Sequence, residues 1–336
     1  MTHAIPATMQ AAVLTRFGAA LDITDIETPS LRPGQVLVRI AASGVNPLDT
    51  KIQAGNAAHA QTRLPAILGM DMAGVVEAVA SGETRFSPGD EVFGMSGGIG
   101  GVPGSLAQFA AFDADLLAHK PRTASMREAA ALPLIFITAW EGLVDRAHVQ
   151  PGQKVLIHGG AGGVGHMAVQ IAVALGAKVY ATGSADQKTV IESLGATAID
   201  YRAQEVEQYV QQHTGGEGFD VIYDTVGGAT LDASFAAARR YLGHVVSCLG
   251  WGVHKLAPLS FRAASYSGVF TLLPLLTGQE RARHGRIMAE AARMVDAGQL
   301  RVLTDTHHFT LEQVNQAHAL VSEAQARGKV VIDIAR

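Results

Sequence analysis

Cysteine is almost absent from this chain of 336 residues, and its scarcity excludes two kinds of structure. The one cysteine, Cys248, cannot form an internal disulfide framework or a four-cysteine structural zinc site. Charged residues are also few, at 17%, beside a hydrophobic fraction of 48%. This balance is typical of a globular chain rather than a disordered one.

Excess positive charge and long apolar runs are missing as well. The net charge of −4 does not indicate the basic surface that nucleic-acid-binding proteins carry. Because there is no run of about 18 apolar residues, we expect no membrane span. The N-terminal stretch MTHAIPATMQAAVLTRFG lacks the long apolar core of a signal peptide, so we expect a cytoplasmic location.

Two domains are expected from the length and from a change of pattern along the chain. Up to about residue 120, short alternating segments punctuated by Gly and Pro predict a β-rich, partly open barrel. After that, strands and helices alternate, which predicts an α/β fold with a doubly wound parallel sheet. We expect Val269–Leu273 to be the last strand of that sheet and the tail to return to the first domain. The predicted domains are 1–124 with 275–336, and 125–274.

The segment Gly94–Gly104 holds six glycines in eleven positions. Such a composition indicates mobility and few side-chain contacts. Two interpretations follow, a lid over the substrate and a surface hairpin loop, and the hairpin is slightly favoured.

The most informative segment is Lys154–Lys188, in which a strand, a glycine-rich turn, a helix and a second strand follow one another. The turn Gly160–Gly165 fits G-x-G-x-x-G, whose glycines allow a tight turn, close approach of a pyrophosphate and packing of the helix on the strand. The helix N-terminus then offers N–H groups and a positive dipole end to phosphates. The segment therefore predicts a dinucleotide site, with a ligand-free turn as the alternative.

The second strand of this segment lacks the Asp or Glu that usually holds the ribose 2′-OH of NAD. It ends with Ala181–Ser184, so no carboxylate opposes a 2′-phosphate. Ser184 can donate a hydrogen bond and Lys188 can supply positive charge, unless both are ordinary turn and helix-start residues. We therefore expect NADPH as the cofactor.

Seven short segments occur along the chain in a characteristic order: GVNPLD (44–49), GMDMAG (69–74), PGDEV (88–92), AGGVG (161–165), LGA (194–196), DTVGG (224–228) and GKVV (328–331). In these segments the chain resembles the zinc-independent quinone oxidoreductase branch of the medium-chain dehydrogenase/reductase superfamily. The resemblance covers nearly the whole chain. It implies a Rossmann domain that binds NADPH and a GroES-like catalytic domain.

The resemblance also shows a departure from the zinc alcohol dehydrogenases of the superfamily. Those enzymes bind catalytic zinc through a Cys in the first segment and a His-Glu pair in the second, where this chain has Asn46 and Met70-Asp71. The cysteine-rich lobe for structural zinc is missing too. Catalytic zinc needs three converging ligands, and none of the thirteen histidines shows a ligand spacing, so we expect no metal.

Without zinc, alcohol oxidation loses its Lewis acid, whereas hydride transfer to an electron-poor acceptor stays feasible. The resemblance implies that Asn46, Asp49 and Thr138 lie near the nicotinamide. Asn46 is expected to donate its amide to substrate or ribose, and Thr138 to contact the nicotinamide or its ribose. Asp49 is either catalytic or an anchor for its neighbours.

The cofactor-binding residues are predicted from the turn, from the ends of the strands and from the resemblance. Tyr201 is expected near the 2′-phosphate, with a surface tyrosine as the alternative. Lys329 is expected to approach the cofactor, with a solvated lysine as the alternative. The full set is Gly160, Gly162, Gly163, Val164, Gly165, Gly183, Ser184, Lys188, Tyr201, Thr225, Val226, Leu249, Gly250, Phe270, Leu272 and Lys329.

The leading hypothesis is an NADPH-dependent, zinc-independent oxidoreductase that transfers hydride to a quinone or an α,β-unsaturated carbonyl. One alternative is an enoyl or alkenal reductase, although Ala57-Ala58 follow Gly55-Asn56 where the enoyl-thioester enzymes carry a tyrosine. The other is an NADPH-binding protein with a structural or regulatory role and little turnover. We expect a small-molecule substrate and a homodimer or homotetramer, assembled through the apolar edge of Val269–Leu273.

Overall fold

The computed structural model describes residues 5–83 and 85–334. The chain divides into two units, each with its own interior. The first contains the residues up to Leu134 together with those from Leu272 onward, and the second contains Ile135–Thr271. Within the described ranges, no helix is long and apolar enough to cross a membrane.

The N-terminal part of the first unit consists mainly of strands, in which buried and exposed residues alternate as they do along β1. The elements are β1 (Thr8–Leu14), β2 (Asp22–Glu27), β3 (Gln35–Gly44), α1 (Pro47–Gln53), β4 (Ala66–Ile67), β5 (Asp71–Val79), β6 (Glu91–Met95), β7 (Phe109–Asp113), β8 (Leu117–His119) and α2 (Met126–Ala130). The helix α2 lies beyond the predicted boundary at residue 124 and belongs to the first unit.

The second unit alternates strands and helices. After α3 (Pro133–Trp140), which begins at the boundary, come β9 (Lys154–Ile157), α4 (Gly163–Ala174), β10 (Lys178–Gly183), α5 (Lys188–Ser193), β11 (Thr197–Asp200), α6 (Val206–Thr214), β12 (Val221–Asp224), α7 (Ala229–Ala237), β13 (His244–Ser247), α8 (Ala257–Ser260) and β14 (Ser265–Gly268).

The strands of the second unit form one parallel sheet in the order β11-β10-β9-β12-β13-β14. Side chains from its central strands, such as Leu156 and Ile222, are fully buried against Phe219 and Phe235. All carboxyl ends of a parallel sheet lie at one edge, where ligands of such folds bind. The predicted α/β fold with a doubly wound sheet is confirmed.

The C-terminal segment returns to the first unit. It contains α9 (Leu273–Thr277), α10 (Arg281–Asp296), β15 (Phe309–Thr310), α11 (Val314–Ser322) and β16 (Val331–Asp333). β16 joins a sheet in the order β15-β16-β3-β5-β6-β8, with β7 also paired to β3, while β1 lies between β2 and β4 in a smaller sheet. These largely antiparallel sheets confirm the predicted β-rich domain.

The register of the larger sheet determines which chain segments meet. Gly44, at the end of β3, pairs with Asp71 at the start of β5 and with Val331 of β16. The residues that follow β3 and those that precede β16 therefore lie beside the start of β5. Asn46 and Lys329 are among them.

The predicted strand Val269–Leu273 is wrong. The last strand is β14, four residues earlier, and it pairs with β13 so that Gly268 lies opposite Ser247. Val269 and Leu272 are buried, so the apolar run signals burial rather than extended backbone. Helix α9 begins directly after this apolar run and has a proline in its first turn, so the run does not continue as a strand.

The glycine-rich segment 94–104 is neither a lid nor a surface hairpin over most of its length, because residues 92–99 are buried. A Cβ on Gly97 would lie 2.0 Å from the Pro103 carbonyl oxygen, and one on Gly104 would lie 2.2 Å from that of Leu68. These contacts are impossible for any other residue type. The glycines therefore allow backbones to pack closely, which a composition alone does not distinguish from mobility.

Candidate active site

A buried polar cluster forms where β3, β5 and β16 meet in the first unit. Asn46 is at its centre, because its Nδ2 donates to Asp71 Oδ2 at 2.8 Å and its Oδ1 accepts from Lys329 Nζ at 2.5 Å. Lys329 also donates to the Val45 carbonyl oxygen at 3.0 Å, and its Nζ lies 3.7 Å from Asp71 Oδ2. We call Asn46, Asp49, Asp71 and Lys329 the Asn46 cluster; none of the four is more than 5% exposed.

The start of α1 places Asn46. Pro47 follows it in the first turn, where a missing N–H costs nothing. Asp49 Oδ2 accepts the Asn46 backbone N–H at 2.8 Å, which is one half of a capping box. This contact is the one expected of an anchoring residue, the alternative considered for Asp49 from the sequence.

Asp71 connects the cluster to the neighbouring backbone. Its Oδ1 accepts the Leu134 N–H at 2.9 Å, while its Oδ2 accepts from Asn46. Ser105 Oγ donates to the Asp71 carbonyl oxygen at 2.9 Å. Both carboxylate oxygens are thus occupied, and the side chain is held in one orientation.

Burial shifts the ionisation of the whole cluster toward the neutral forms. It raises the pKa of Asp49 to about 7, against the hydrogen bond from Asn46. It raises the pKa of Asp71, opposed mainly by the Lys329 charge, and lowers the pKa of Lys329, opposed by the two carboxylates. The ion pair and the hydrogen bonds thus partly offset the cost of burial.

The residues of the Asn46 cluster do not fit zinc. Tetrahedral zinc takes Cys, His or carboxylate ligands, and here an amide and two carboxylates surround an ammonium that repels a cation. Met70, which the resemblance places at the position of the histidine in the zinc relatives, is fully buried. Across residues 5–83 and 85–334, no group of three or more His, Cys, Asp and Glu side chains could hold a metal ion.

The glycine turn lies between β9 and α4 in the second unit. A Cβ on Gly165 would lie 2.0 Å from the Gly159 carbonyl oxygen, so packing of the helix on the turn requires glycine there. A Cβ on Gly163 would lie 3.4 Å from Ile135 Cγ2, an ordinary contact. Among the residues that the structure describes, none therefore requires glycine at Gly163, which is exposed and leaves space for a ligand.

The first turn of α4 is open to an anion. Its N-cap residue, Gly162, has no side chain to accept the N–H groups of Gly163, Val164 and Gly165. Such N–H groups and the positive end of the helix dipole bind phosphate. The residues present therefore fit the pyrophosphate of a dinucleotide.

The carboxyl ends of β10 and β11 bring the residues predicted for the 2′-phosphate together. Gly183 pairs with the last residue of β11, and its carbonyl oxygen accepts the Tyr201 N–H at 3.2 Å. Ser184 and Lys188 follow directly on the same end of β10. The Lys188 ammonium lies 3.9 Å from a Glu192 oxygen, an exposed pair of little strength.

The ends of β12 and β13 are tied together by Asp224. Its carboxylate accepts the N–H groups of Val226 and Gly227 and the hydroxyl of Ser247, the last at 2.7 Å. Thr225 Oγ1 donates to the His158 carbonyl oxygen at 2.6 Å, which fixes the loop against the end of β9. The predicted residues Thr225, Val226, Leu249 and Gly250 thus lie at the carboxyl edge of the sheet, with Val226 52% exposed.

The remaining predicted residues are more scattered. Thr138 lies in α3, 5% exposed, and its carbonyl oxygen accepts the Tyr223 hydroxyl at 2.7 Å. Phe270 follows β14, and its ring centroid lies 6.2 Å from that of Trp251. Leu272 belongs to the first unit, where it is 4% exposed.

Two residues of the site were not predicted from the sequence. Asp71 was noted only as a replacement for a zinc ligand, although its place in GMDMAG marks it. Arg202 was missed, although it directly follows Tyr201. Its Nε lies 3.3 Å from the Tyr201 hydroxyl, so it brings a second positive charge to the end of β11.

Two family models match the chain. Residues 32–122 match the alcohol dehydrogenase GroES-like domain, and residues 194–332 match a zinc-binding dehydrogenase. The fold and the dinucleotide turn agree with a two-domain dehydrogenase. The residues of the Asn46 cluster do not fit the zinc that the second family's description names.

Curated relatives, two of similar length and one much longer, extend this result. The chain is 33% identical over 340 residues to 2-methylene-furan-3-one reductase of Solanum lycopersicum, covering 98% of this chain and 80% of that protein. It is 31% identical, with the same coverage, to the chloroplastic NADPH-dependent alkenal/one oxidoreductase of Arabidopsis thaliana. Mycoketide-CoA synthase of Mycobacterium tuberculosis is 36% identical over 305 residues, which are 90% of this chain but 7% of that protein.

Solved structures share the fold over nearly the whole chain. An alcohol dehydrogenase superfamily protein from Novosphingobium aromaticivorans superposes with a TM-score of 0.95 at 53% identity, covering 98% of this chain and 100% of that one. A quinone oxidoreductase from Coxiella burnetii gives 0.82 at 27% identity, with the same coverage. The chain belongs to the medium-chain dehydrogenase/reductase superfamily, which confirms the resemblance. It lies in the zinc-independent branch, whose members include quinone oxidoreductases, alkenal/one oxidoreductases and enoyl reductases.

Proposed function

We propose that the protein is an NADPH-dependent reductase that transfers hydride to a quinone or an α,β-unsaturated carbonyl without zinc. The Asn46 cluster carries the proposal, because it holds a buried carboxamide between an ammonium and a carboxylate. The resemblance places Asn46 and Asp71 where the zinc relatives carry metal ligands. Such a group can donate a hydrogen bond to an oxygen that becomes negative. Conjugated acceptors spread that charge and need the least stabilisation.

Each unit supplies different residues to the proposed reaction. Bound NADPH supplies the hydride. In the second unit, the N–H groups of Gly163, Val164 and Gly165 bind the pyrophosphate, and Thr138 contacts the nicotinamide or its ribose. In the first unit, Asn46 donates to the acceptor oxygen while Asp49 holds its backbone in place. The proton that completes the reduction comes from water.

The preference for NADPH follows from the charges at the ends of β10 and β11. Lys188 and Arg202 supply two positive charges, and Ser184 and Tyr201 supply hydroxyl donors. The arginine's planar fork suits a phosphate better than a hydroxyl. The Arabidopsis thaliana relative carries NADPH in its name.

An enoyl or alkenal reductase is the second candidate, and the names of several relatives favour it. The chemistry is the same hydride transfer to a conjugated carbonyl. Ala57 and Ala58 stand where enoyl-thioester enzymes carry a tyrosine, which argues against thioester substrates. The acceptor itself is the only difference, so an acceptor panel separates the candidates.

The test is NADPH oxidation by the purified protein with 1,4-naphthoquinone, 2-methylene-furan-3-one, an aliphatic 2-alkenal and crotonyl-CoA. Turnover with the quinone or the carbonyls, unchanged by a zinc chelator, supports the proposal. Turnover with crotonyl-CoA alone would assign an enoyl-thioester reductase. Tight NADPH binding without oxidation by any acceptor would favour a structural or regulatory role.

We also propose that two copies assemble through β14. Among the described residues, β13 pairs with one side of β14 and no strand pairs with the other. Large apolar side chains on segments that adjoin its start are exposed, with Tyr241 at 81% and Phe261 at 86%. An unpaired edge beside apolar surface favours pairing, and a second copy offers a self-complementary edge.

Light scattering on the wild type and on a Phe261→Glu variant tests this assembly. A dimer or a tetramer that dissociates in the variant supports it. A wild-type monomer, or an oligomer that the variant leaves unchanged, would contradict it.

A further inference from the structure

We propose that Lys329 is a positioning residue that fixes the orientation and polarity of the Asn46 carboxamide. Its ammonium holds the carbonyl end of the amide, so that one Nδ2–H donates to Asp71 and the other is left for the acceptor oxygen. The donation of the second N–H to the acceptor oxygen rests on the proposed reductase function, whereas the orientation of the amide does not.

The orientation follows from the chemistry of the two neighbours. An ammonium can only donate hydrogen bonds, and a carboxylate can only accept them. In the observed arrangement, Asn46 Oδ1 faces Lys329 and Nδ2 faces Asp71. A flipped amide would place N–H groups against the ammonium and an oxygen against the carboxylate, and both contacts would be repulsive.

The same arrangement strengthens the remaining donor. A positive charge on the amide oxygen draws electron density away from the nitrogen, which makes its N–H groups better donors. The effect is large because Asn46 and Lys329 are buried, 1% and 5% exposed, where water does not screen the charge. Lys329 thus acts on the reaction through Asn46, while Asn46 touches the substrate.

The fold holds Lys329 in this position from its backbone. Its N–H donates to the Leu303 carbonyl oxygen at 2.7 Å, and its carbonyl oxygen accepts the Asp305 N–H at 2.9 Å. The next residue, Val330, accepts the Val45 N–H at 2.9 Å. With both sides of the backbone engaged, the side chain has little freedom to leave Asn46.

The first experiment needs no activity. The chain has three asparagines, Asn46, Asn56 and Asn315, so ¹⁵N-asparagine labelling gives three side-chain amide pairs in an NMR spectrum. The Asn46 pair is assigned by its loss in Asn46→Ala. We expect Lys329→Met to shift that pair while the other two stay in place. An unmoved Asn46 pair would overturn the proposal.

A control variant and a double variant complete the NMR experiment. Lys178→Met is the matched control, because Lys178 is exposed at the amino end of β10, the end opposite the ligand edge. It should leave all three pairs unchanged. If Lys329→Met fails to fold because Asp71 loses its counter-charge, Lys329→Met with Asp71→Asn removes both charges and is measured against Asp71→Asn alone.

The second experiment is a double-mutant cycle with 1,4-naphthoquinone and NADPH. We expect Lys329→Met to lower kcat about tenfold or more with little change in the KM for NADPH, and Lys329→Arg to restore part of the loss. In the Asn46→Ala background the same substitution should change kcat less than about twofold. An equal loss of kcat in both backgrounds would show that Lys329 does not act through Asn46. If the wild type reduces no acceptor, the proposed function fails while the NMR result still decides the orientation.

Discussion

The guanidinium of Arg202 lies over the ring of Tyr201, with its Cζ 5.6 Å from the ring centroid. The pair is exposed at the end of β11, beside the end of β10, where we have proposed that the 2′-phosphate of NADPH binds. The contact gives a mobile arginine a defined place. If the proposed preference for NADPH holds, the two residues would contact the phosphate together.

Replacing Arg202 with Ala should weaken NADPH binding roughly three- to tenfold and leave NADH binding unchanged, because only NADPH carries the extra phosphate. Fluorescence titration of both cofactors measures the two dissociation constants. Arg293→Ala, on the exposed side of α10, serves as the control. An equal loss for NADH would mean that Arg202 supports the fold of the site rather than the phosphate.

Two neighbouring glycines of α4 should respond differently to the same added methyl group. Gly165→Ala forces a Cβ to within 2.0 Å of a carbonyl oxygen and should destabilise the fold by about 1–3 kcal/mol or more. Gly163→Ala meets an ordinary contact at 3.4 Å and should leave stability nearly unchanged. Its methyl group should instead weaken NADPH binding at least about tenfold, since it occupies the approach to the helix N-terminus.

Urea unfolding and cofactor titration of both variants separate these effects. Loss of stability in Gly163→Ala would show that protein packing, not a ligand, accounts for that glycine. Unchanged NADPH affinity in a folded Gly163→Ala variant would place the pyrophosphate elsewhere.

The buried His318 should make the protein less stable in acid. Burial lowers the pKa of His318 to about 4 from 6.5, and its Nδ1 lies 2.7 Å from Gln53 Oε1. Between these two pH values the unfolded chain binds more protons at this site. Its contribution to the free energy of unfolding is therefore fully present above pH 6.5 and is lost as the pH falls to 4, by up to about 3 kcal/mol.

His318→Gln should remove that part of the pH dependence, so the free energies of unfolding at pH 7 and pH 4 should differ less than in the wild type. Urea unfolding at both pH values measures the difference. His308→Gln, at an exposed position, should follow the wild type. If the free energy of unfolding of His318→Gln depends on pH as strongly as that of the wild type, another group dominates the loss of stability in acid.

The single thiol should be nearly inert in the folded protein. Burial raises the pKa of Cys248 to about 12, with the Asp224 charge adding to the effect. Cys248 is only partly buried, but the thiolate is the reactive form, so we expect a disulfide reagent to modify it much more slowly in the native protein than in urea. Equally fast reaction in the native protein and in urea would contradict the raised pKa.

Features that depend on local chemistry could be predicted from the sequence. The turn Gly160–Gly165 and its flanking strands were recognisable because the glycine spacing and the flanking apolar segments lie within one short stretch of the chain, and the packing of Gly165 against Gly159 is local. The partners of Asn46 were not, since Lys329 lies 283 residues away and its role depends on the pairing of β16 with β3. No periodicity along the chain encodes that contact.

Two predictions, of the last strand and of the glycine-rich segment, were wrong for the same reason: contacts with distant parts of the chain are not visible in the local sequence. The strand β14 reads Ser-Tyr-Ser-Gly, a weak pattern, and its extended form comes from backbone pairing with β13 rather than from its own side chains. The apolar run after it was mistaken for the strand because burial and extension give similar patterns. Gly97 and Gly104 were read as flexible, because composition does not reveal that another backbone passes within contact distance.

The distance along the chain between Asn46 and Lys329 has a consequence for synthesis. The amide is made early, and the ammonium that orients it emerges only after the entire six-stranded sheet has left the ribosome. Until then Asp71 has no Lys329 ammonium beside it. A growing chain can therefore pair the strands of its six-stranded sheet before the Asn46 cluster is complete.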